Sequence, residues 1–97
     1  MPALDSSQLR QDLDIIERNV RQLEAKYNDF LDGVTSIEPK ELRTQTETLV
    51  NRWSGRPVAN TMLRFRLQNT LQKYKLYKEK WDRLLRVKIR NEREDGF

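Results

Sequence analysis

The chain has 97 residues, 19 of them Lys or Arg and 15 Asp or Glu, with a formal net charge of +4 and neither cysteine nor histidine. Without cysteine there is no disulfide framework or thiolate metal site, and without histidine the commonest general base and metal ligand are missing. The length suits one domain. We therefore expect a single domain over residues 1–97 that is not an enzyme and holds no metal or cofactor.

The charge is divided unevenly along the chain. Residues 1–55 carry seven basic and ten acidic side chains, whereas residues 56–97 carry twelve basic and five acidic ones. No apolar run approaches the roughly 20 residues of a membrane-spanning helix, and residues 1–8 lack the basic and apolar parts of a signal peptide. These features predict a soluble cytoplasmic protein without membrane contact, whose second half is the basic half.

The first predicted helix spans about residues 6–31. Ser6 is a suitable N-cap, and Gly33 suits the left-handed position after a helix end. Apolar residues recur between them at alternating spacings of about four and three, which is an a/d heptad seam typical of close packing against another helix. This seam comprises Leu9, Leu13, Ile16, Val20, Leu23, Tyr27 and Phe30.

Two further helices are predicted, one short and one long. Helix 2 spans about residues 39–53, starting at Pro39, whose missing N–H costs nothing at a first helical position. Helix 3 spans about residues 57–92 and continues the heptad alternation. Its seam comprises Leu63, Leu67, Thr70, Tyr74, Tyr77, Trp81 and Leu84. The aromatic members of this seam favour core packing, with base stacking in a single-strand binder as the alternative.

The pattern predicts an all-α fold, with two long antiparallel helices in a coiled-coil-like hairpin and one short intervening helix near the turn. In that arrangement helix 2 covers Met62 and Phe65, and the start of helix 1 lies beside the end of helix 3. Ion pairs are then expected between acidic residues of helix 1 (Asp12, Asp14, Glu17) and basic residues of helix 3 (Lys80, Arg83, Arg86).

Two surfaces are candidates for binding. Ile15, Leu76 and Ile89 lie off the seams, and we predict that they form an exposed apolar stripe for a protein partner or for a homodimer that completes a bundle. The second surface is a basic face on helix 3, formed by Arg64, Arg66, Lys73, Lys80 and Arg83. That face suits a phosphate backbone, or alternatively a solvated face that pairs with acidic helix 1.

Two resemblances to known families add to this reading. The run Asn60-Thr61-Met62-Leu63-Arg64-Phe65-Arg66-Leu67-Gln68, followed by Tyr74, Tyr77 and Trp81, resembles an uncharacterised helical domain of myxobacterial-type (delta-proteobacterial) proteins with an Asn-Thr-x-Leu-Arg-Phe-Arg motif. It implies one helical domain and no particular activity. The run Leu9 to Ile16 faintly resembles the opening of helical chorismate mutases, but Lys26 stands where that family has an arginine late in its first helix.

The leading functional prediction is a non-enzymatic helical protein–protein interaction or adaptor module. The alternative is an RNA- or DNA-binding domain that uses the basic face of helix 3. A small all-α enzyme of the chorismate mutase type is the remote alternative, because catalysis there requires several cations converging on one inward face, which these seams do not offer.

Overall fold

The structure is a computed structural model, and it describes residues 6–95, with side chains described through residue 93. This part of the chain is all-α and contains three helices: α1 (Ser6–Leu31), α2 (Lys40–Trp53) and α3 (Thr61–Asp95). They form an elongated bundle with extents of 60 × 21 × 18 Å. The all-α prediction is confirmed.

The heptad seam of α1 forms the centre of the core. Six of its seven residues are buried, and only Phe30 is partly exposed. The helix ends where Gly33 adopts φ 80°, which lets the Val34 N–H donate back to the carbonyl of Asp29 (2.8 Å). A left-handed glycine at this position satisfies carbonyls that the last turn leaves free.

Helix α3 begins four residues later than the sequence pattern predicted. Asn60 caps it, because its side-chain Oδ1 accepts a hydrogen bond from the Leu63 N–H (2.9 Å) and its carbonyl accepts one from the Arg64 N–H (2.9 Å). Asparagine is a strong N-cap residue, so it outweighs the preference of Pro57 for a first helical position. The helix also continues three residues past the predicted end at residue 92.

The predicted direction of the third helix is wrong: α1 and α3 run parallel. Side chains of α1 meet α3 partners about 50–57 residues further along the chain, at both ends of the bundle; the pairs are Asp14–Arg66, Glu17–Arg66, Glu24–Lys80 and Tyr27–Trp81. A constant separation of this kind requires parallel axes. The antiparallel hairpin is instead the pair α1–α2, in which Asp12 meets Trp53.

The reversal follows from the length of α2. Fourteen residues rise about 21 Å, enough to return from the level of Tyr27 to the level of Asp12. The chain therefore reverses twice before α3 begins. For the same reason the predicted ion pairs differ: Asp12 pairs with Arg52, while Asp14 and Glu17 pair with Arg66.

The prediction that helix 2 covers Met62 and Phe65 is wrong. They are 82% and 59% exposed. Phe65 lies two residues from each of the buried residues Leu63 and Leu67, and a rotation of about 100° per residue places it on the opposite side of α3. Helix α2 does not reach that side, because it packs closely against α1 and only weakly against α3.

Three aromatic residues of α3, Tyr74, Tyr77 and Trp81, belong to the core, as predicted. Trp81 is fully buried and stacks on Tyr27 with ring centroids 4.8 Å apart. Tyr74 meets the same indole edge-on at 6.4 Å. Tyr77 is partly buried beside it. These rings are therefore packed between helices and are unavailable for base stacking.

Candidate functional site

Four carboxylates, of which only Asp12 is fully buried, accept hydrogen bonds from the polar atoms of the core aromatics. In each of four pairs the aromatic N–H or O–H donates to an acidic side chain on a different segment: Trp53 to Asp12 (2.8 Å), Trp81 to Glu24 (3.2 Å), Tyr27 to Glu38 (2.8 Å) and Tyr74 to Glu47 (2.5 Å). Among the described residues no buried side-chain polar atom lacks a partner. Each of these carboxylates accepts a hydrogen bond from another segment, so the network joins the helices and stabilises the fold.

The protonation of this network follows from its hydrogen bonds. Burial alone raises the pKa of Glu47, but hydrogen bonds from Tyr74 and Lys78 outweigh it and hold that pKa below its ordinary value. Burial, reinforced by the Glu47 carboxylate, raises the pKa of the Tyr74 hydroxyl. At neutral pH the pair is therefore a neutral phenol donating to a carboxylate.

Arg43 connects all three helices near the end of α1. Its Nη1 donates to the Tyr27 hydroxyl oxygen (3.1 Å) and its Nη2 donates to Asp82 (2.6 Å). The guanidinium also lies 5.7 Å from the ring centroid of Tyr27 and 6.0 Å from that of Trp81. Arginine suits this position better than lysine would, because its planar guanidinium can donate to two oxygens and stack on aromatic rings at the same time. These contacts hold the three helices together.

The predicted basic face divides into two groups. Arg66 donates from Nε and Nη2 to Glu17 and from Nη2 to Asp14, and Lys80 donates to Glu24 (2.7 Å). Hydrogen bonding by Arg66 lowers the pKa of Glu17. These two cations therefore join α3 to α1. This agrees with the alternative prediction that the basic face pairs with acidic helix 1.

The remaining members of that face are exposed and unpaired in the described part of the chain. Lys73 lines the groove between α1 and α3, whereas Arg64 and Arg83 join further cations on the side of α3 turned away from α1 and α2. We call this side the outer face. Its unpaired cations are Arg64, Lys75, Arg83, Arg86, Arg90 and Arg93, against a single unpaired described carboxylate, Glu79. This excess of positive charge extends along almost the whole of α3.

The three predicted apolar contact residues do not form one stripe. Ile15 is half-buried on α1, whereas Leu76 and Ile89 are 56% and 51% exposed on α3. Thirteen residues of helix separate these two, a rotation that leaves them about 140° apart around the axis. Leu76 lies on the outer face. Ile89 lies on the side of α3 that faces α2 at Lys78 and Asp82, but further toward the C-terminal end of α3.

A different apolar set shares the outer face with Leu76. Phe65, Leu76 and Val87 follow one another at intervals of 11 residues and are 59%, 56% and 38% exposed. Eleven residues are three helical turns plus about 20°, so the three side chains stand almost in line, about 16.5 Å apart. We call them the apolar row.

Each member of the apolar row follows a cation directly in sequence. Arg64, Lys75 and Arg86 repeat at the same interval of 11 residues and are all exposed. We call them the basic row, which lies beside the apolar row along the helix. Heptad counting missed this repeat because it searches intervals of seven. The dipeptides Arg-Phe, Lys-Leu and Arg-Val were nevertheless visible in the sequence.

The surface offers shallow grooves for binding. The groove between α1 and α3 is lined by Glu17, Arg21, Arg66 and Lys73 among others, and it is open to solvent along one side. Within residues 6–95 no helix has both the length and the apolar character needed to span a membrane, and no described acidic residues cluster in a way that would hold a metal ion.

Comparison with known proteins yields no relative from which a function transfers. No family model matches the chain, and neither a curated protein nor a solved structure matches it. The resemblance of the run from Asn60 to Gln68 to a myxobacterial-type domain therefore stays a prediction.

Proposed function

We propose that this protein is a non-enzymatic helical interaction module that binds another protein through the outer face of α3. The observation that carries the proposal is that exposed apolar side chains and unpaired cations share this face, which neither α1 nor α2 covers. Apolar side chains exposed together with charges of one sign are typical of partner surfaces.

The rest of the bundle supports this role as a scaffold. Trp81, Tyr27 and Arg43 join the three helices through stacking and hydrogen bonds, so α3 is fixed against α1 and α2 on the side opposite its outer face. A surface on a rigid helix needs little ordering when a partner binds, which favours affinity. The proposed contact residue Leu76 is retained from the sequence prediction; Ile15 and Ile89 are not part of this surface.

A photo-crosslinking amino acid at position 76 tests the proposal, with position 25 as its matched control. Ala25 is also exposed, but it lies on α1 opposite the core. In a lysate of the source cells we expect covalent adducts from position 76, few from position 25, and digestion of the adducts by protease but not by nuclease. Equal adducts at both positions, or none at position 76, would contradict the proposal.

A nucleic-acid-binding domain is the second candidate, favoured by the excess of unpaired cations on the outer face. It predicts that labelled RNA or DNA oligomers bind with an affinity that falls by about 10³ or more between 50 and 200 mM salt, because six or more phosphate contacts release their counterions. Lys75→Glu should weaken that binding. Adducts at position 76 that nuclease digests would favour this candidate over the first.

A further inference from the structure

The apolar row and the basic row on the outer face both repeat every 11 residues. This shared interval restricts how a partner can space its own apolar and charged groups. Leu76 and Val87 each lie about 16.5 Å beyond the preceding apolar residue, with a cation directly before each of them. A partner that contacts every member must therefore present apolar groups at steps of about 16.5 Å, each with an anion beside it.

We infer that the partner is an acidic amphipathic α-helix that lies along α3 and repeats its own apolar residues every 11 positions. This inference rests on the proposed function and names the chemistry of its partner. A helix with an 11-residue repeat keeps its apolar positions in a nearly straight line and packs with a slight right-handed supercoil. Its side chains then meet Phe65, Leu76 and Val87 in register over about 33 Å.

An extended peptide does not fit the same spacing. A strand rises about 3.3 Å per residue, so a step of 16.5 Å takes about five residues. Residues five apart in a strand point to opposite faces. An extended segment that contacts Phe65 with one side chain would therefore turn the corresponding side chain away from Leu76.

An antiparallel second copy of this chain is also disfavoured as the occupant. An antiparallel pair of α3 helices centred on Leu76 would place Phe65 against Val87 and would match the apolar rows. It would also place the basic row beside its own copy, so that Arg64, Lys75 and Arg86 face like charges. An acidic helix offers the same apolar contacts and opposite charges, and charge complementarity selects it.

Neither a nucleic acid nor a membrane surface matches both the apolar row and the basic row. A phosphate backbone neutralises the basic row but offers no apolar partner to Leu76 or Val87. A membrane-binding helix separates its apolar and charged residues onto opposite faces, whereas here cations share the outer face with the apolar row, and Arg83 lies between Leu76 and Val87.

Two labelled helical peptides of identical composition, rich in Glu and Ala with three leucines, test the inference by fluorescence anisotropy. One peptide has its leucines 11 residues apart and the other has them seven apart. We expect the first to bind the whole chain at least tenfold more tightly. Leu76→Ser should remove this preference, whereas Ala25→Ser should leave it unchanged; both positions are exposed, so both variants should fold.

The possible outcomes separate this inference from the proposed function. Equal binding of the two peptides, tighter binding of the seven-spaced peptide, or no binding of either overturns the inference. If protein adducts still form at position 76 in such a case, the interaction module stands and only the 11-residue acidic helix is rejected. Self-association in sedimentation that Leu76→Ser abolishes would also overturn it, in favour of a second copy.

Discussion

Replacing Trp81 by alanine should remove a large share of the free energy of unfolding. The side chain is fully buried, stacks on Tyr27 and donates to Glu24. Truncating a buried tryptophan costs about 3–5 kcal/mol in lost transfer energy and cavity formation. Little is added by the lost hydrogen bond, because the other oxygen of Glu24 keeps its bond from Lys80 (2.7 Å) and the carboxylate is partly exposed to water.

That loss is comparable to the whole stability of a small domain, which is about 5–15 kcal/mol. Urea unfolding followed by far-ultraviolet circular dichroism measures it, and the midpoint should fall by more than about 1 M at a typical m-value. Trp81→Phe is the graded variant: it retains a ring against Tyr27, loses the N–H, and should cost less than the alanine variant.

Phe65→Ala is the matched control for this prediction. Phe65 is 59% exposed, and surface substitutions of this kind change stability by less than about 0.5 kcal/mol. If Trp81→Ala cost less than about 1 kcal/mol, or if Phe65→Ala cost as much as Trp81→Ala, the assignment of inner and outer faces of α3 would be refuted.

Three further predictions concern pH and topology. The lowered pKa of Glu17 means that its contribution to stability is complete above about pH 4.3, the value of a free Glu, and is lost as the pH falls through the folded value; Glu17→Gln should make acid unfolding titrations shallower. The raised pKa of Tyr74 means that its contribution is complete below about pH 10 and is lost as the pH rises through the folded value, so Tyr74→Phe should cost about 1 kcal/mol at neutral pH and remove that alkaline loss. The chain has no cysteine, so spin labels at engineered cysteine pairs report the topology directly: parallel α1 and α3 place Arg10 near Arg64 and about 40 Å from Arg90, and the reverse order of distances would contradict the parallel arrangement.

Apolar periodicity was sufficient to predict most of the apolar side chains that α1 and α3 bury. Leu13, Ile16 and Trp81 lie where alternating steps of three and four place them, because a helix buries one stripe whatever its neighbour is. Likewise, Gly33 marked the end of α1 because a left-handed position favours glycine. The start of α3 was harder to predict, since Pro57 and Asn60 both suit a helix start.

The sequence alone therefore determined the fold class, the buried seams and the core position of the aromatic residues. Only the tertiary structure decided the direction of α3, because a heptad seam packs equally well against a parallel or an antiparallel neighbour. That direction in turn decided which cations are used internally: Arg66 and Lys80 meet carboxylates of α1, while Arg64, Lys75 and Arg86 remain free on the outer face. Pairings between residues about 50 positions apart depend on how the helices are arranged in space, which local spacing does not encode.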